Sequence, residues 1–181
     1  MDYENKGGRS KEGCCLAAAY STGTKTKTIK KYKAMITKIS DKGITFIKNF
    51  EGVELKAYKD VKGVLTIGIG HTKNVKAGQT CTVAETYRWM REDLAPVEQY
   101  IAKMMPNVRQ WQMDALCSFA YNVGLGNLQK STLLRLCLHN APSAQIEREF
   151  LKWNHAGGKV VDGLTRRRKA EGKLYTKGLY A

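Results

Sequence analysis

The stretch from Val108 to Val123 limits the fold more than any other part of the chain. Read at helical spacing, it carries two apolar stripes: Trp111, Ala115 and Phe119 on one side, and Leu116, Ala120 and Val123 on another. A helix that is apolar on most sides belongs at the centre of a bundle, because no face of it can be left to water. Asn107 is expected to cap its start, and Gly124 and Gly126 to end it. At 181 residues and 43% hydrophobic, the chain is large enough to close one core around such a helix. No run reaches the roughly eighteen apolar residues of a transmembrane helix.

The neighbouring segments supply the rest of the architecture. Ser40 caps a short helix that turns Ile44, Ile47 and Phe50 inward, and Gly52 suits its end. Residues 56–71 read as a β-hairpin with its turn at 61–63. Leu65, Ile67 and Ile69 define one face, and Thr66, Gly68 and Gly70 the other. Thr82 with Glu85 forms a capping-box pattern that opens a helix to about Leu94. Pro96 is expected to bend or restart it. Later helices are expected near 131–139, 143–154 and 163–175. The expected class is α+β: a small hairpin lobe beside a larger helical lobe, with a cleft between them.

Residues 1–39 differ in composition. They carry nine Lys and Arg against three Asp and Glu, and the run STGTKTKTIKKYK is polar and repetitive. They read as a flexible basic extension, with residues 40–181 as the folded domain. The apolar patch CCLAAAY is short for a signal peptide. Met35 stands as an alternative start just ahead of the folded part. The formal net charge of +15 draws the protein toward anionic polymers: nucleic acid, lipid head groups or bacterial envelope. Charge alone does not choose among them. The five cysteines show no metal-ligand spacing. Cys117 and Cys137 lie in apolar helical patterns as buried free thiols, and synthesis in a reducing cytoplasm is expected. Cys14 and Cys15 are adjacent and open to oxidation.

Three polar residues gather where chemistry is possible. Glu51 falls at the end of the first helix. There the negative end of the helix dipole and the apolar Phe50 both favour a protonated carboxyl, able to donate to a leaving group. Asp60 precedes the turn, where water keeps it ionised; bonding to its own backbone is the commoner role of such a residue. Thr66 points to the glycine-rich face of its strand, where its hydroxyl can hold a water against Asp60. Gly68 and Gly70 leave room there for a bulky ligand. Two carboxyls in opposite protonation states with a water between them match glycoside hydrolysis, which in its inverting form needs them roughly 6.5–9.5 Å apart.

The order Glu, eight residues, Asp, five residues, Thr, set in FEG, AYKD and TIGIGHT, resembles the phage-type lysozymes, the endolysins of glycoside hydrolase family 24. The blocks ALCSFAYNVGLG, STLLR, Trp153 followed by AGG, and GLTRRRKAE occur in the matching order from about Ser40 to the C-terminus. The resemblance implies a muramidase that cleaves the β-1,4 bond between N-acetylmuramic acid and N-acetylglucosamine of peptidoglycan. Glu51 is then the acid, Asp60 the water-directing carboxylate and Thr66 its partner. Thr72, Tyr121 and Ser131 match positions lining the sugar cleft, although Tyr121 also suits packing in the central helix. The resemblance pairs His71 with Asp93 as a tie between the lobes, and brings an arginine of the 166–168 run, Arg167 foremost, to Glu51. It implies a monomer without cofactor or metal, made in the host cytoplasm and acting on the periplasmic wall. Export then depends on a membrane-permeabilising partner, a holin, without stable membrane insertion of the enzyme.

Other motifs fall away. GIGHTK has Lys73 where a dinucleotide fingerprint needs its third glycine, and GLGNLQKST has Gln129 where a P-loop needs glycine before lysine. His71, His139 and His155 show no ligand spacing. TRRRKAEGK lacks the interleaved aromatics of single-strand binders, so no nucleic acid is expected as partner. Three rival classes remain: a lytic transglycosylase on the same bond, a peptidoglycan-binding module without activity, and a basic membrane-active or nucleic-acid-binding protein. A transglycosylase has no use for the water-holding pair Asp60 and Thr66.

Overall fold

The computed structural model describes residues 35–60 and 63–180, all within one unit that runs from Ala34 to Ala181. Cys14, Cys15 and most of the proposed extension lie outside the described residues, as do two residues of the hairpin turn.

Helix α1 (Asp41–Glu51) starts where Ser40 Oγ accepts a hydrogen bond from Gly43 N at 3.0 Å, and it ends at Gly52, whose φ of +75° suits glycine. Its buried residues Ile44, Phe46 and Ile47 face the core. Strands β1 (Glu54–Lys59) and β2 (Leu65–Gly68) form an antiparallel hairpin in which Tyr58 pairs with Thr66. Helix α2 (Val83–Met104) opens with the Thr82–Glu85 capping box: Thr82 N donates to Glu85 Oε2 at 2.8 Å, and Glu85 N donates to Thr82 Oγ1.

Helix α3 (Gln110–Val123) is the central helix, with every residue from Met113 to Ala120 buried. It packs against α1, α2, the short α4 (Leu125–Lys130) and the last helix, α7 (Asp162–Lys177). Helices α5 (Thr132–Leu138) and α6 (Ser143–Leu151) complete the larger lobe, and α6 also packs on α7. A two-residue hairpin, β3 (His155–Ala156) with β4 (Lys159–Val160), precedes α7. The class is α+β. Among the described residues no helix is long and apolar enough to cross a membrane.

Several expectations need correction. Ile39 is 4% exposed and part of the core, with Ile36 packed against it, so the folded unit begins ahead of Ser40. The cost of leaving two isoleucines in water outweighs the polar composition around them. Pro96 does not restart the helix: α2 runs unbroken from Val83 to Met104. Met90, Leu94, Val97 and Ile101 are all buried on the two sides of Pro96, and that shared packing carries the helix through the lost hydrogen bond. The cap of α3 is Arg109, whose N–H donates to Gln112 Oε1 at 3.1 Å; Asn107 lies in the preceding turn. Gly124 ends α3 at a φ of +89°, but Gly126 lies inside α4. The faces of β2 are also less distinct than its alternation implies, since Thr66, Ile67 and Gly68 are all buried. A Cβ on Gly68 would come within 3.0 Å of Thr86 Cγ2, so this glycine lets β2 lie close against α2 rather than making room for a ligand.

Candidate active site

Glu51 is the last residue of α1, and its side chain is 23% exposed. Arg167 arrives from α7 and donates from Nη1 to Glu51 Oε1 at 2.6 Å, a charge-assisted bond. The guanidinium carbon of Arg167 also lies 5.4 Å from the centre of the Phe50 ring. The helix-end field and apolar neighbour anticipated for Glu51 are therefore joined by a cation that sequence spacing does not reveal.

Arg167 is itself held on every edge. Its Nε donates to Glu171 Oε1 at 3.0 Å, and its Nη2 to the Ser118 carbonyl at 3.1 Å. Ser118 Oγ donates to the same Glu171 oxygen at 2.7 Å. Arg168, fully buried, pairs with Glu171 through Nε at 2.8 Å and donates from Nη2 to Asn122 Oδ1 at 3.1 Å. Burial pushes the Arg168 guanidinium down to about 10, against the pull of Glu171. Burial pushes the Glu171 carboxyl up, while Arg168, Arg167 and the Ser118 hydroxyl draw it back. Ser118 and Glu171 carried no separate sequence signal: each reads as one more position in an apolar or basic helix.

Asp60 opens the hairpin turn. Its Oδ1 accepts from Val64 N at 2.8 Å, while Asp60 N donates to Val64 O at 2.9 Å. The turn-forming role of Asp60 is thus real, and it fixes where the carboxylate stands. Thr66 is 4% exposed, and its Oγ1 donates to Val64 O at 3.1 Å. Spending the hydroxyl proton on a carbonyl leaves the oxygen an acceptor. Tyr58, directly across the strands from Thr66, relates these groups in space. Partial burial raises its phenol, and the carboxylates of Glu54, Asp60 and Glu51 raise it further. It therefore stands in the field of both candidate acids.

A cleft of about 330 Å³ is lined by Gly70, Thr72, Asp93, Tyr121, Gly124 and Leu125 among others. Tyr121 donates its hydroxyl to Ile69 O at 2.5 Å, so its position is set by the end of the hairpin. Burial raises its phenol, the charges of Asp93 and Glu51 add to that, and Arg167 opposes it. His71 Nδ1 lies 2.7 Å from Asp93 Oδ2, and the ring stacks on Trp89 at 5.0 Å. The hairpin is tied to α2 through that contact. Trp89 was not anticipated; its place on the α2 face opposite His71 depends on how strand and helix meet. Ser131 is placed differently from Thr72 and Tyr121. It is 8% exposed, accepts from Leu134 N at 3.0 Å as the cap of α5, and donates to Leu128 O at 2.7 Å. Its hydroxyl is committed to its own helix start. Among the described residues, no three His, Cys, Asp or Glu side chains are grouped as a metal site.

Residues 48–171 match the family model described as phage lysozyme. The chain is 43% identical over 144 residues to the endolysin of Bacillus phage B103, an alignment covering 77% of this chain and 54% of that protein. The chain thus spans about half the length of that relative. It is 41% identical over 144 residues to the endolysin of Salmonella phage P22, covering 76% of this chain and 97% of that one. The solved muramidase domain of SpmX from Asticaccaulis excentricus superposes with a TM-score of 0.71 at 30% identity, covering 77% of this chain and 98% of that domain. With a family match over residues 48–171 and 41% identity to a relative covered almost end to end, this chain belongs to the phage lysozyme family.

Proposed function

We propose that this chain is a muramidase that hydrolyses the β-1,4 bond between N-acetylmuramic acid and N-acetylglucosamine in peptidoglycan. Made in the host cytoplasm and released to the periplasmic wall by a holin, it lyses the host. The observation that carries this reading is Glu51: a carboxyl at a helix end, held by Arg167 at 2.6 Å.

Glu51 donates its proton to the glycosidic oxygen as the bond breaks. A glycan lying over Glu51 removes water from it and favours the neutral acid. The attacking water approaches the opposite face of the sugar. It donates one hydrogen bond to Asp60 and one to Thr66 Oγ1, whose own proton is engaged with Val64 O. Asp60 takes the water's proton as the new bond forms, and the configuration at the anomeric carbon inverts. Thr72 and Tyr121 line the cleft that receives the sugar chain.

Turbidity loss on purified peptidoglycan, wild type beside Glu51→Gln, tests the assignment. The variant is expected to lose about 10²–10⁴ in rate, the typical worth of a general acid, equivalent to roughly 3–5 kcal/mol of barrier. Clearing at the wild-type rate would remove Glu51 from the mechanism. Mass analysis of wild-type fragments tests the bond chemistry. Hydrolysis leaves reducing ends that have gained a water, whereas anhydro-sugar ends would mark a transglycosylase.

A further inference from the structure

An acid beside an arginine poses a problem of charge. Arg167 donates to Glu51 at 2.6 Å, and a neighbouring cation stabilises the ionised carboxylate. Proton donation needs the opposite form. The buried cluster behind Arg167 resolves this conflict. Glu171 is fully buried and bonded on one oxygen by Arg167 Nε, Arg168 Nη2 and Ser118 Oγ, at 3.0, 3.2 and 2.7 Å. Its second oxygen lies 2.8 Å from Arg168 Nε.

We propose that Glu171 is a positioning residue for the reaction: through Arg167 it both orients the Glu51 carboxyl and withdraws positive charge from it, so that Glu51 can hold a proton. The inference rests on the reading of Glu51 as the acid. Its geometry is a chain of contacts from Glu171 Oε1 to Arg167 Nε and on from Arg167 Nη1 to Glu51 Oε1. Burial works against an ionised Glu171, and the two arginines with the Ser118 hydroxyl work for it. While Glu171 keeps its charge, with Arg167 and Arg168 charged and Glu51 ionised, the four groups sum to zero. Replacing Glu171 by a neutral residue leaves one excess positive charge beside Glu51. Adding a proton to Glu51 then raises an already positive cluster and is disfavoured. Two phenols also feel the Glu51 charge, Tyr58 from the hairpin and Tyr121 from α3. Neither tyrosine supplies a compensating anion at neutral pH.

The direct test is a carboxyl-carbon NMR titration of Glu51, which does not depend on whether Glu51 is catalytic. In Glu171→Gln the midpoint of Glu51 is expected to fall by about one pH unit, and in Arg167→Met to rise. The alkaline limb of kcat/KM should follow the same two directions, and Glu171→Asp should restore most of it. A residue that only held the fold together would lower the thermal midpoint and leave the Glu51 titration where it was; that result overturns the proposal. If Glu171→Gln does not fold, the wild-type titration decides. Glu171 must stay ionised across the whole range in which Glu51 takes up its proton. Protonation of Glu171 ahead of Glu51 as the pH falls would mean that it cannot be the neutralising charge. Opposite shifts in the NMR titration together with an active Glu51→Gln would keep the charge linkage and discard the general-acid role, so the two readings fail separately.

Discussion

At the scale of single residues, Thr66 separates two kinds of contribution. Its hydroxyl donates to Val64 O, which also accepts from Asp60 N at 2.9 Å. Thr66→Val therefore leaves no carbonyl unpaired, and the stability lost is about 1 kcal/mol or less. The same change removes the acceptor proposed for the attacking water. A fall in kcat of about 10²-fold is expected, with KM close to wild type, since the interaction serves the transition state rather than binding. Steady-state kinetics on soluble wall fragments check this, and a change confined to KM would argue against a water-holding role. The alternation of β2 marked Thr66 as facing away from Ile67, and the chain order marked it beside Asp60. The carbonyl that receives its proton was not legible, because it depends on the turn geometry at Gly63 and Val64. Arg167 is a similar case. Spacing alone does not distinguish Arg166 from its neighbours as the partner of Glu51. The rotation of α7 about its axis does, leaving Arg166 exposed and burying Arg167 to 3% exposure.

Among the elements, the contact of α1 with α3 is the tightest test of packing. A Cβ on Gly43 would come within 2.6 Å of both Asp114 Cγ and Ile39 Cγ1. Asp114 is fully buried and tied down by Ser40 N at 2.9 Å, by Gln110 Nε2 at 2.9 Å and by the Tyr180 hydroxyl at 2.5 Å, so it has little freedom to move aside. Gly43→Ala gains about 1 kcal/mol of helix propensity. Overpacking of this kind costs about 1–3 kcal/mol, and a net loss of stability is expected. A lower urea midpoint with an unchanged m-value checks it, and a higher midpoint would mean that the helices separate freely. Caps formed by local chemistry, such as Ser40 and Thr82 with Glu85, were readable directly. Helix α4 and the β3–β4 hairpin were not. Each is too short to show a period, and α4 is held by its packing on α3 and α5 rather than by its own propensity.

On the whole-molecule scale, buried and half-buried phenols make stability depend on alkaline pH. Burial, with the bond to Asp114 added, pushes Tyr180 from its ordinary value near 10 up to about 12. Burial likewise raises Tyr121 and Tyr175. Above pH about 10 the unfolded chain has lost phenolic protons that the folded one retains. The unfolded state then binds fewer protons, and stability falls as pH rises. For Tyr180 that loss runs between about pH 10 and about pH 12. In Tyr180→Phe the ring still packs edge-on against Phe46, but the titrating group is gone, so the slope of urea midpoint against pH over that window should become shallower. Parallel slopes for the two proteins would exclude Tyr180 as a contributor.

Sequence by itself determined that a helix apolar on nearly all sides lies at the centre, that a small hairpin follows the first helix, and that Glu51, Asp60 and Thr66 fall on a helix end, a turn and a strand. These follow from periodicity and local capping, which involve residues only a few positions apart. Tertiary structure alone decided that Arg167 is locked against Ser118 and Glu171 as well as Glu51, and that Gly68 serves the seating of β2 on α2. Those outcomes depend on the angles and rotations at which elements meet. Such variables are set by burial summed over the whole core, and no short stretch of the chain encodes them.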